Sequence, residues 1–255
     1  MKTMASQPDI SEGLAERADK ISEVLARQIV RDIARDGLAP GTMLPPEAAM
    51  LRRLRVGRAS LREALRILEV YGLITIKPGP GGGPIVHAPT SREFARAATF
   101  YYHLRGATLR DLLEARRCLD PLLARLAATS RDAEAIAVLM ESVDVSEWAY
   151  DVDDIGTWRR HDFNFHGLVA AATGNRVMDL FGQSLRALFN DRVGDRMMGA
   201  HDRDVVRKEH RAIANAIAAR DPDAAEGLMA AHMTTFTEIA VQVIEGLLED
   251  VLDWR

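Results

Sequence analysis

The sequence has a single cysteine and few aromatic residues. Cys118 has no partner within the chain, which excludes a disulfide framework and favours a reducing compartment. Aromatic residues make up only 5% of the chain, whereas Ala, Leu, Arg and Glu recur throughout, and this composition favours helices. No apolar run is long enough to span a bilayer, and residues 1–13 lack the apolar segment of a signal peptide. We therefore expect a cytoplasmic protein with no membrane partner.

Glycine and proline are dense in only one segment, residues 77–84, and helical periodicity resumes only after Pro89. We therefore place a domain boundary near residue 90, which divides the 255 residues into 1–90 and 91–255. The chain has a net charge of −4, but residues 1–90 hold 13 basic and 10 acidic residues, a net charge of +3. Residues 1–90 are therefore net basic and residues 91–255 net acidic. This asymmetry of charge hints that residues 1–90 bind nucleic acid.

Residues 1–90 have the pattern of a winged helix-turn-helix. An apolar stripe of Ile21, Leu25, Ile29 and Ile33 predicts one helix over residues 14–35. Two short helices are predicted over residues 46–54 and 58–71, with a three-residue turn between them, which is the helix-turn-helix arrangement. Residues 73–77 and 84–87 then predict a small hairpin, the wing.

Residues 91–255 contain no convincing strand. Helical periodicity marks seven stretches, at about 91–104, 109–129, 131–143, 155–173, 176–192, 204–219 and 223–250. The predicted fold is therefore mainly α, with an N-terminal winged helix-turn-helix and a C-terminal all-α helical bundle.

A fifteen-residue segment of the helix pair contains six arginines, and its only acidic residue is Glu63. They are Arg52, Arg53, Arg55, Arg58, Arg62 and Arg66. Because Arg58 and Arg62 are four residues apart, they share one face of the second helix, opposite its leucines. A helix so arranged can enter a major groove, where Arg58, Ser60 and Arg62 would reach bases or phosphates. The alternative is a solvated arginine-rich face on an ordinary helix.

Three histidines and an aspartate are spaced so that they can meet. Asp162 and His166 are four residues apart on one helix face, while His210 and His232 are 22 apart with the Asp221-Pro222 break at their midpoint. If the chain reverses there, both histidines return to the same level. Each histidine lies on an apolar stripe, so we predict a metal site of these four residues, which suits zinc, nickel, manganese or iron.

Two other interpretations of this site are open. Three histidines and a carboxylate with an open position could activate water in a metal-dependent enzyme. No clear general base stands beside the ligands, but Glu209 and Asp162 keep this option open. The metal could also be purely structural and hold the bundle together.

The N-terminal motifs resemble the winged helix-turn-helix of GntR-family bacterial transcription regulators. The resemblance rests on PGTMLPPE at residues 40–47, VGRASLREAL at 56–65 and LEVYGLI at 68–74. It implies a homodimer on a palindromic operator in double-stranded DNA, with Arg58 and Arg62 as principal contacts and the wing tip at Gly82 near the minor groove. The family usually has an arginine where this chain has Ala48, and Arg52 or Arg53 is the candidate replacement.

The second part resembles the FCD effector domain of the FadR subfamily, in its metal-binding branch. The resemblance rests on EAR at residues 114–116, LAA at 126–128, DFNFH at 162–166, GN at 174–175, EHR at 209–211 and His232. It implies a small carboxylate effector held near the metal, with Arg116 and, more weakly, Arg186 pairing with that carboxylate. The alternative for Arg116 is a salt bridge with Glu114 or Asp120. We therefore expect a ligand-responsive transcription regulator rather than an enzyme.

Overall fold

The computed structural model describes residues 10–79, 81–197 and 203–252, with side chains described from residue 21 onwards except for residues 193–197. The chain divides into two compact units, Met1–Glu93 and Phe94–Arg255. Helices dominate both units, so the predicted mainly α fold class is confirmed. None of the described helices is both long and apolar enough to cross a membrane.

The described residues form ten α-helices, one hairpin and a short 3-10 helix. The helices α1 to α10 span Ile10–Arg35, Glu47–Leu54, Arg58–Val70, Ser91–Arg105, Leu109–Thr129, Ala133–Asp151, Ile155–Ala172, Arg176–Met197, Arg203–Ala218 and Pro222–Val243. The strands are β1 (Ile74–Lys77) and β2 (Gly83–Val86), and the 3-10 helix is Glu245–Leu247.

The first unit is built on the contact between α1 and α3, with α2 packed beside α3. Leu25 and Ile29 of α1 are buried against Leu61, Leu65 and Leu68 of α3 in one apolar cluster. Ile21, which the apolar stripe assigned to the same face, is instead 49% exposed. The apolar stripe therefore faces the core only from the second of its four positions onward.

The wing is an antiparallel hairpin in which Ile74 pairs with Val86 and Lys77 with Gly83. Its tip turns so tightly that a Cβ added at Gly82 would lie 2.2 Å from the carbonyl oxygen of Lys77. Only glycine fits such a close approach. The hairpin tip therefore requires glycine at position 82, apart from any contact with DNA.

The second unit is a helical bundle with α5 at its centre, in contact with α7, α8, α9 and α10. The predicted chain reversal between α9 and α10 is present, and Asp221 caps α10 by accepting a hydrogen bond from the Ala224 amide at 3.0 Å. α6 runs eight residues beyond the predicted end at Val143, and its extension carries Asp144 and Glu147, which pair with Arg211 of α9. The reversal between α9 and α10 brings His210 and His232 to one level of the bundle.

Gly82→Ala should destabilise the wing by about 1–3 kcal/mol, the cost of a clash that forces backbone to move. Hydrogen exchange of the Val86 amide, which donates to the Thr42 carbonyl at 2.8 Å, would report this as faster exchange. Gly227→Ala is the matched control, because nothing lies within 4 Å of an added Cβ there. Unchanged exchange in Gly82→Ala would contradict the steric explanation.

Candidate functional site

The arginine face of α2 and α3 points away from the core of the first unit. Leu61, Leu65 and Leu68 are buried on one side of α3, while Arg58 and Arg62 are exposed on the other and Ser60 is half-buried. Exposed Arg52 lies one turn after exposed Ala48, on the same face of α2. Arg52 is thus placed on the face where the usual arginine is missing.

Two of the predicted DNA contacts are held by carboxylates. Arg53 Nη2 lies 2.8 Å from Oδ2 of Asp32, a nearly buried residue of α1, so Arg53 ties α2 to α1. Arg62 Nε donates to Glu47 Oε1 at 3.2 Å in a mainly exposed pair. Arg52 and Arg58 have no ion pair with another described side chain, so their charges face solvent without compensation.

The structure brings the three predicted histidines together from three helices. His166 of α7, His210 of α9 and His232 of α10 each offer a ring nitrogen, and these nitrogens all lie within 4.8 Å of one another. The Nε2 atoms of His166 and His232 are 3.3 Å apart. The ring of Phe165 stacks on that of His210, with centroids 3.8 Å apart, and fixes its plane.

A carboxylate lies against Nδ1 of each histidine. Glu209 Oε2 is 2.7 Å from His232 Nδ1, and Asp120 Oδ2 is 3.2 Å from His166 Nδ1. Asp162 Oδ1 lies 3.2 Å from His210 Nδ1. Of these three contacts, the one between Glu209 and His232 has the geometry of a hydrogen bond, and a carboxylate that accepts the Nδ1 proton leaves the Nε2 lone pair available on the other side of the ring. Asp162, the predicted fourth ligand, therefore lies beside one ligating ring and is not part of the three-nitrogen group.

The charges of this cluster favour a cation. Burial by itself raises the pKa of the Asp120 carboxyl. The charge of Arg116 and the contact with His166 outweigh this effect and lower the pKa to about 2. The carboxylate is therefore ionised near pH 7. Burial lowers the pKa of His166 to about 3, against the opposing effect of Asp120. Burial also lowers the pKa of His232. Both rings are therefore neutral near pH 7, as metal ligands must be.

The histidine group meets the requirements of a divalent transition metal. Nε2 of buried His210 has no hydrogen-bond partner among the described residues. Two Nε2 lone pairs facing each other at 3.3 Å repel unless a cation or a proton lies between them. Tetrahedral zinc with Zn–N bonds of about 2.0–2.1 Å separates its nitrogens by about 3.3 Å. The three imidazoles are therefore suited to hold a metal ion, although their geometry does not select one metal.

Arg116 is buried in the bundle and bound to Asp120. Its Nη2 donates to Asp120 Oδ2 at 3.0 Å, and its guanidinium carbon lies 5.2 Å and 5.4 Å from the ring centroids of Phe189 and Phe236. Of the two salt-bridge partners considered from sequence, the structure selects Asp120. Because Asp120 also contacts His166, a chain of contacts joins Arg116 to the histidine group.

Both predicted effector arginines line one cavity with the histidines. Its lining combines Arg116, Arg186, Asp162 and Asn190 with Trp158, Phe163, Phe189, Val206 and Phe236. Arg186 Nη1 donates to the Phe163 carbonyl at 3.2 Å. The cavity has a volume of about 60 Å³. For comparison, one water molecule needs about 10–15 Å³ of such volume. Such a cavity suits an ion and a small polar molecule.

Three participants in this site were missed or left in minor roles by the sequence analysis. Asp120 was considered only as a salt-bridge partner of Arg116, Glu209 only as a possible general base of an enzyme, and Trp158 was given no role at the site. The four-residue step from Arg116 to Asp120 is a signal that places both on one helix face. The contact of Glu209 with His232 joins two helices, so sequence spacing carries no sign of it.

Comparisons with known proteins agree with both units. Residues 21–82 match the model for bacterial regulatory proteins of the gntR family, and residues 111–235 match the FCD domain. An uncharacterized HTH-type transcriptional regulator, Rv0494 of Mycobacterium tuberculosis, is 32% identical over 84% of this chain and 87% of its own length. The HTH-type transcriptional repressor NanR of Salmonella newport is 30% identical over 85% of this chain and 84% of its own.

The fold is also similar to a solved structure, a GntR protein of Streptococcus agalactiae. Its TM-score is 0.65 at 23% identity, covering 85% of this chain and 99% of that one. The fold and these relatives define a DNA-binding transcriptional regulator and not an enzyme. More specifically, the chain belongs to the GntR family of bacterial regulators and carries an FCD domain.

Arg116→Ala should destabilise the second unit by about 3–5 kcal/mol, because it leaves the Asp120 carboxylate buried without its cation. Arg117→Ala, one residue away and exposed, should change stability by no more than about 0.5 kcal/mol. Urea unfolding of both variants in the presence of a chelator would measure the difference. A loss below about 1 kcal/mol in Arg116→Ala would contradict a structural role for the pair.

Proposed function

We propose that the chain regulates transcription as a homodimer on a palindromic operator, and that a small carboxylate bound beside a metal changes its affinity for DNA. Residues 1–90 would bind DNA, and residues 91–255 would bind the effector and form the dimer. The observation that carries the proposal is the shared cavity. This cavity is lined by three imidazoles, a candidate cation site, and by two arginines, in a domain of the FCD family.

On the DNA side, the proposed contacts are Arg52, Arg53, Arg58, Ser60, Arg62 and Gly82. Arg58 and Ser60 lie in the first turn of α3, the part of a recognition helix that meets base edges. Arg52 and Arg58 are exposed and have no ion pair with another described side chain, which supports direct contact with phosphates or bases. The pair between Arg53 and Asp32 supports a different role for Arg53, that of holding α2 on α1.

On the metal side, the proposed ligands are His166, His210 and His232, with a carboxylate as the fourth. Asp162 is the candidate from sequence, and its Oδ1 has no hydrogen-bond partner among the described residues. Asp120 is an alternative, since it is ionised and lies equally close to a ligating ring. Zinc suits this donor set, and nickel, manganese and iron are also compatible. When bound, the metal would supply a positive charge that attracts a carboxylate.

The effector carboxylate would meet that charge and the arginines in one cavity. A guanidinium can bind a carboxylate through two parallel hydrogen bonds. Arg186 is half-buried and lines the cavity, while Arg116 already binds Asp120. We therefore assign the direct contact with the effector carboxylate to Arg186, while Arg116 would attract it through its positive charge. The sequence had favoured Arg116 over Arg186 for the direct contact.

Arg58→Ala should weaken DNA binding and lower the slope of log K against log salt by about 0.9, the value of one lost phosphate contact. Fluorescence anisotropy with the duplex upstream of the gene, at several salt concentrations, would measure both effects. Arg131→Ala, an exposed arginine of the second unit, is the matched control and should leave the slope unchanged. An unaltered slope in Arg58→Ala would exclude a phosphate contact, and unaltered affinity as well would exclude any contact.

Replacing any of the three histidines by alanine should abolish tight zinc binding. Glu209→Gln should weaken it by about 10–100-fold, because the carboxylate that orients His232 is lost while the ring remains. His103→Ala is the control, since His103 contacts the Leu252 carbonyl and not the cluster. Competition with a chromogenic chelator gives the affinities. Comparing Asp162→Asn with Asp120→Asn then identifies the fourth ligand as the one whose loss costs more.

A titration of the operator complex with short carboxylic acids tests the whole proposal. Zinc-loaded protein should change its DNA affinity with at least one acid, and the apoprotein should respond less. If chelation melts the protein while no acid alters DNA binding or melting temperature, the metal is purely structural and the effector proposal fails.

A further inference from the structure

The turn between α2 and α3 has an arginine where the backbone favours glycine. Arg55 ends α2 with φ 54° and ψ 43°, the left-handed conformation, and its amide donates to the Leu51 carbonyl at 3.0 Å. Helices that end in this conformation usually carry glycine there, and sometimes asparagine, because a Cβ crowds the following carbonyl oxygen. An arginine at this position therefore lowers the stability of the turn.

The described chain has three residues other than glycine with a positive φ, and they differ in what their side chains contact. Nη1 of Arg220 donates to the Ser130 carbonyl at 2.5 Å, and Oδ1 of Asp153 lies 3.4 Å from Nη1 of Arg203. The side chain of Arg55 is exposed and makes no hydrogen bond or ion pair with any other residue that the structure describes. Within the described chain, no contact of the Arg55 side chain offsets its backbone cost.

Arg55 lies close to the end of α3 that enters the major groove in helix-turn-helix proteins. It precedes Arg58, the first residue of α3, by three residues, which span at most about 10 Å. In helix-turn-helix complexes the N-terminal residues of the second helix contact base edges, and the phosphates of both strands border the groove. The long side chain of Arg55 is therefore placed to reach a phosphate at the edge of that groove.

The charges next to Arg55 in the sequence also favour an anionic partner. Arg52 and Arg58 are exposed and have no ion pair with another described side chain. A third positive charge between them adds repulsion within the free protein. A phosphate would relieve this repulsion and would accept hydrogen bonds from the planar guanidinium. The charge of Arg55 therefore disfavours the free protein and favours its complex with DNA.

We propose that Arg55 binds a DNA phosphate, and that this contact offsets the backbone cost that Arg55 imposes on the free protein. Arg55 adds one residue to the DNA contacts proposed above. The inference rests on DNA binding by the first unit and is independent of the proposed metal and effector. It requires a single substitution to have opposite effects on stability and on DNA affinity.

Arg55→Gly tests both effects in the full-length protein. Because glycine adopts a positive φ without crowding, the Met50 amide, which donates to the Pro46 carbonyl at 3.0 Å, should exchange with solvent about five- to tenfold more slowly. For each protomer bound, DNA affinity at about 0.1 M salt should fall about five- to tenfold, and the slope of log K against log salt should decrease by about 0.9.

Fluorescence anisotropy would measure the affinity and the slope with two duplexes. One is the duplex upstream of the gene, and the other has the same base composition in shuffled order. A phosphate contact carries no sequence information, so the loss should be the same on both duplexes.

Two variants serve as controls. Arg55→Lys keeps the positive charge and a Cβ at the same position, so it should retain most of the DNA affinity, the salt slope and the exchange rate of the unaltered protein. Arg31→Ala removes an exposed positive charge from α1, in a groove that also contains Tyr71, at the opposite end of α3 from Arg58. It should leave the salt slope unchanged, which separates a local contact from the effect of net charge.

Slower exchange of Met50 together with weaker binding to both duplexes supports the inference, and three other results would overturn it. Unchanged affinity and slope in Arg55→Gly would exclude a contact with DNA. A loss limited to the upstream duplex would show that Arg55 contacts a base and not a phosphate. Equal or faster exchange of Met50 in Arg55→Gly would show that Arg55 imposes no backbone cost for DNA to offset.

Discussion

Compensation of buried charge is the constraint on which the second unit depends. Asp120 is ionised inside the helical bundle, and this is tolerable only because Arg116 lies 3.0 Å away and His166 lies 3.2 Å away. The guanidinium is in turn surrounded by the rings of Phe189 and Phe236. α5 thereby places a pair of opposite charges beside His166, one of the three clustered histidines.

This arrangement gives an ordinary helical bundle a candidate cation site. Burial keeps His166 and His232 neutral, a carboxylate lies beside Nδ1 of each ring, and their Nε2 atoms lie 3.3 Å apart. The same carboxylates give the site negative charge, which attracts a metal. A metal and the nearby arginines would then favour an anionic ligand in the remaining space. The proposed sites for a cation and for a small acid thus share one region of the bundle.

Local patterns predicted more of the first unit than of the second. The winged helix-turn-helix follows from short-range spacing: apolar residues at helical intervals, a three-residue turn and a Gly/Pro-rich hairpin tip. The pairing of Arg53 with Asp32, 21 residues away, and the exposure of Ile21 could not be predicted, because both depend on where α1 lies. In the second unit the convergence of three histidines followed from apolar stripes and one chain reversal. The pairing of each histidine with its carboxylate did not, because all three pairs join different helices.

The sequence by itself determined the family, the mainly helical fold and the set of three histidines, since each is encoded in residue identity and spacing along the chain. Only the tertiary structure decided what those residues touch. It placed Asp162 beside His210, gave His166 and His232 the carboxylates of Asp120 and Glu209, and committed Arg116 to Asp120. It also left the Trp158 donor in the cavity lining without a partner in the described chain. These outcomes depend on distances of a few ångströms between helices, which periodicity along a single helix does not specify.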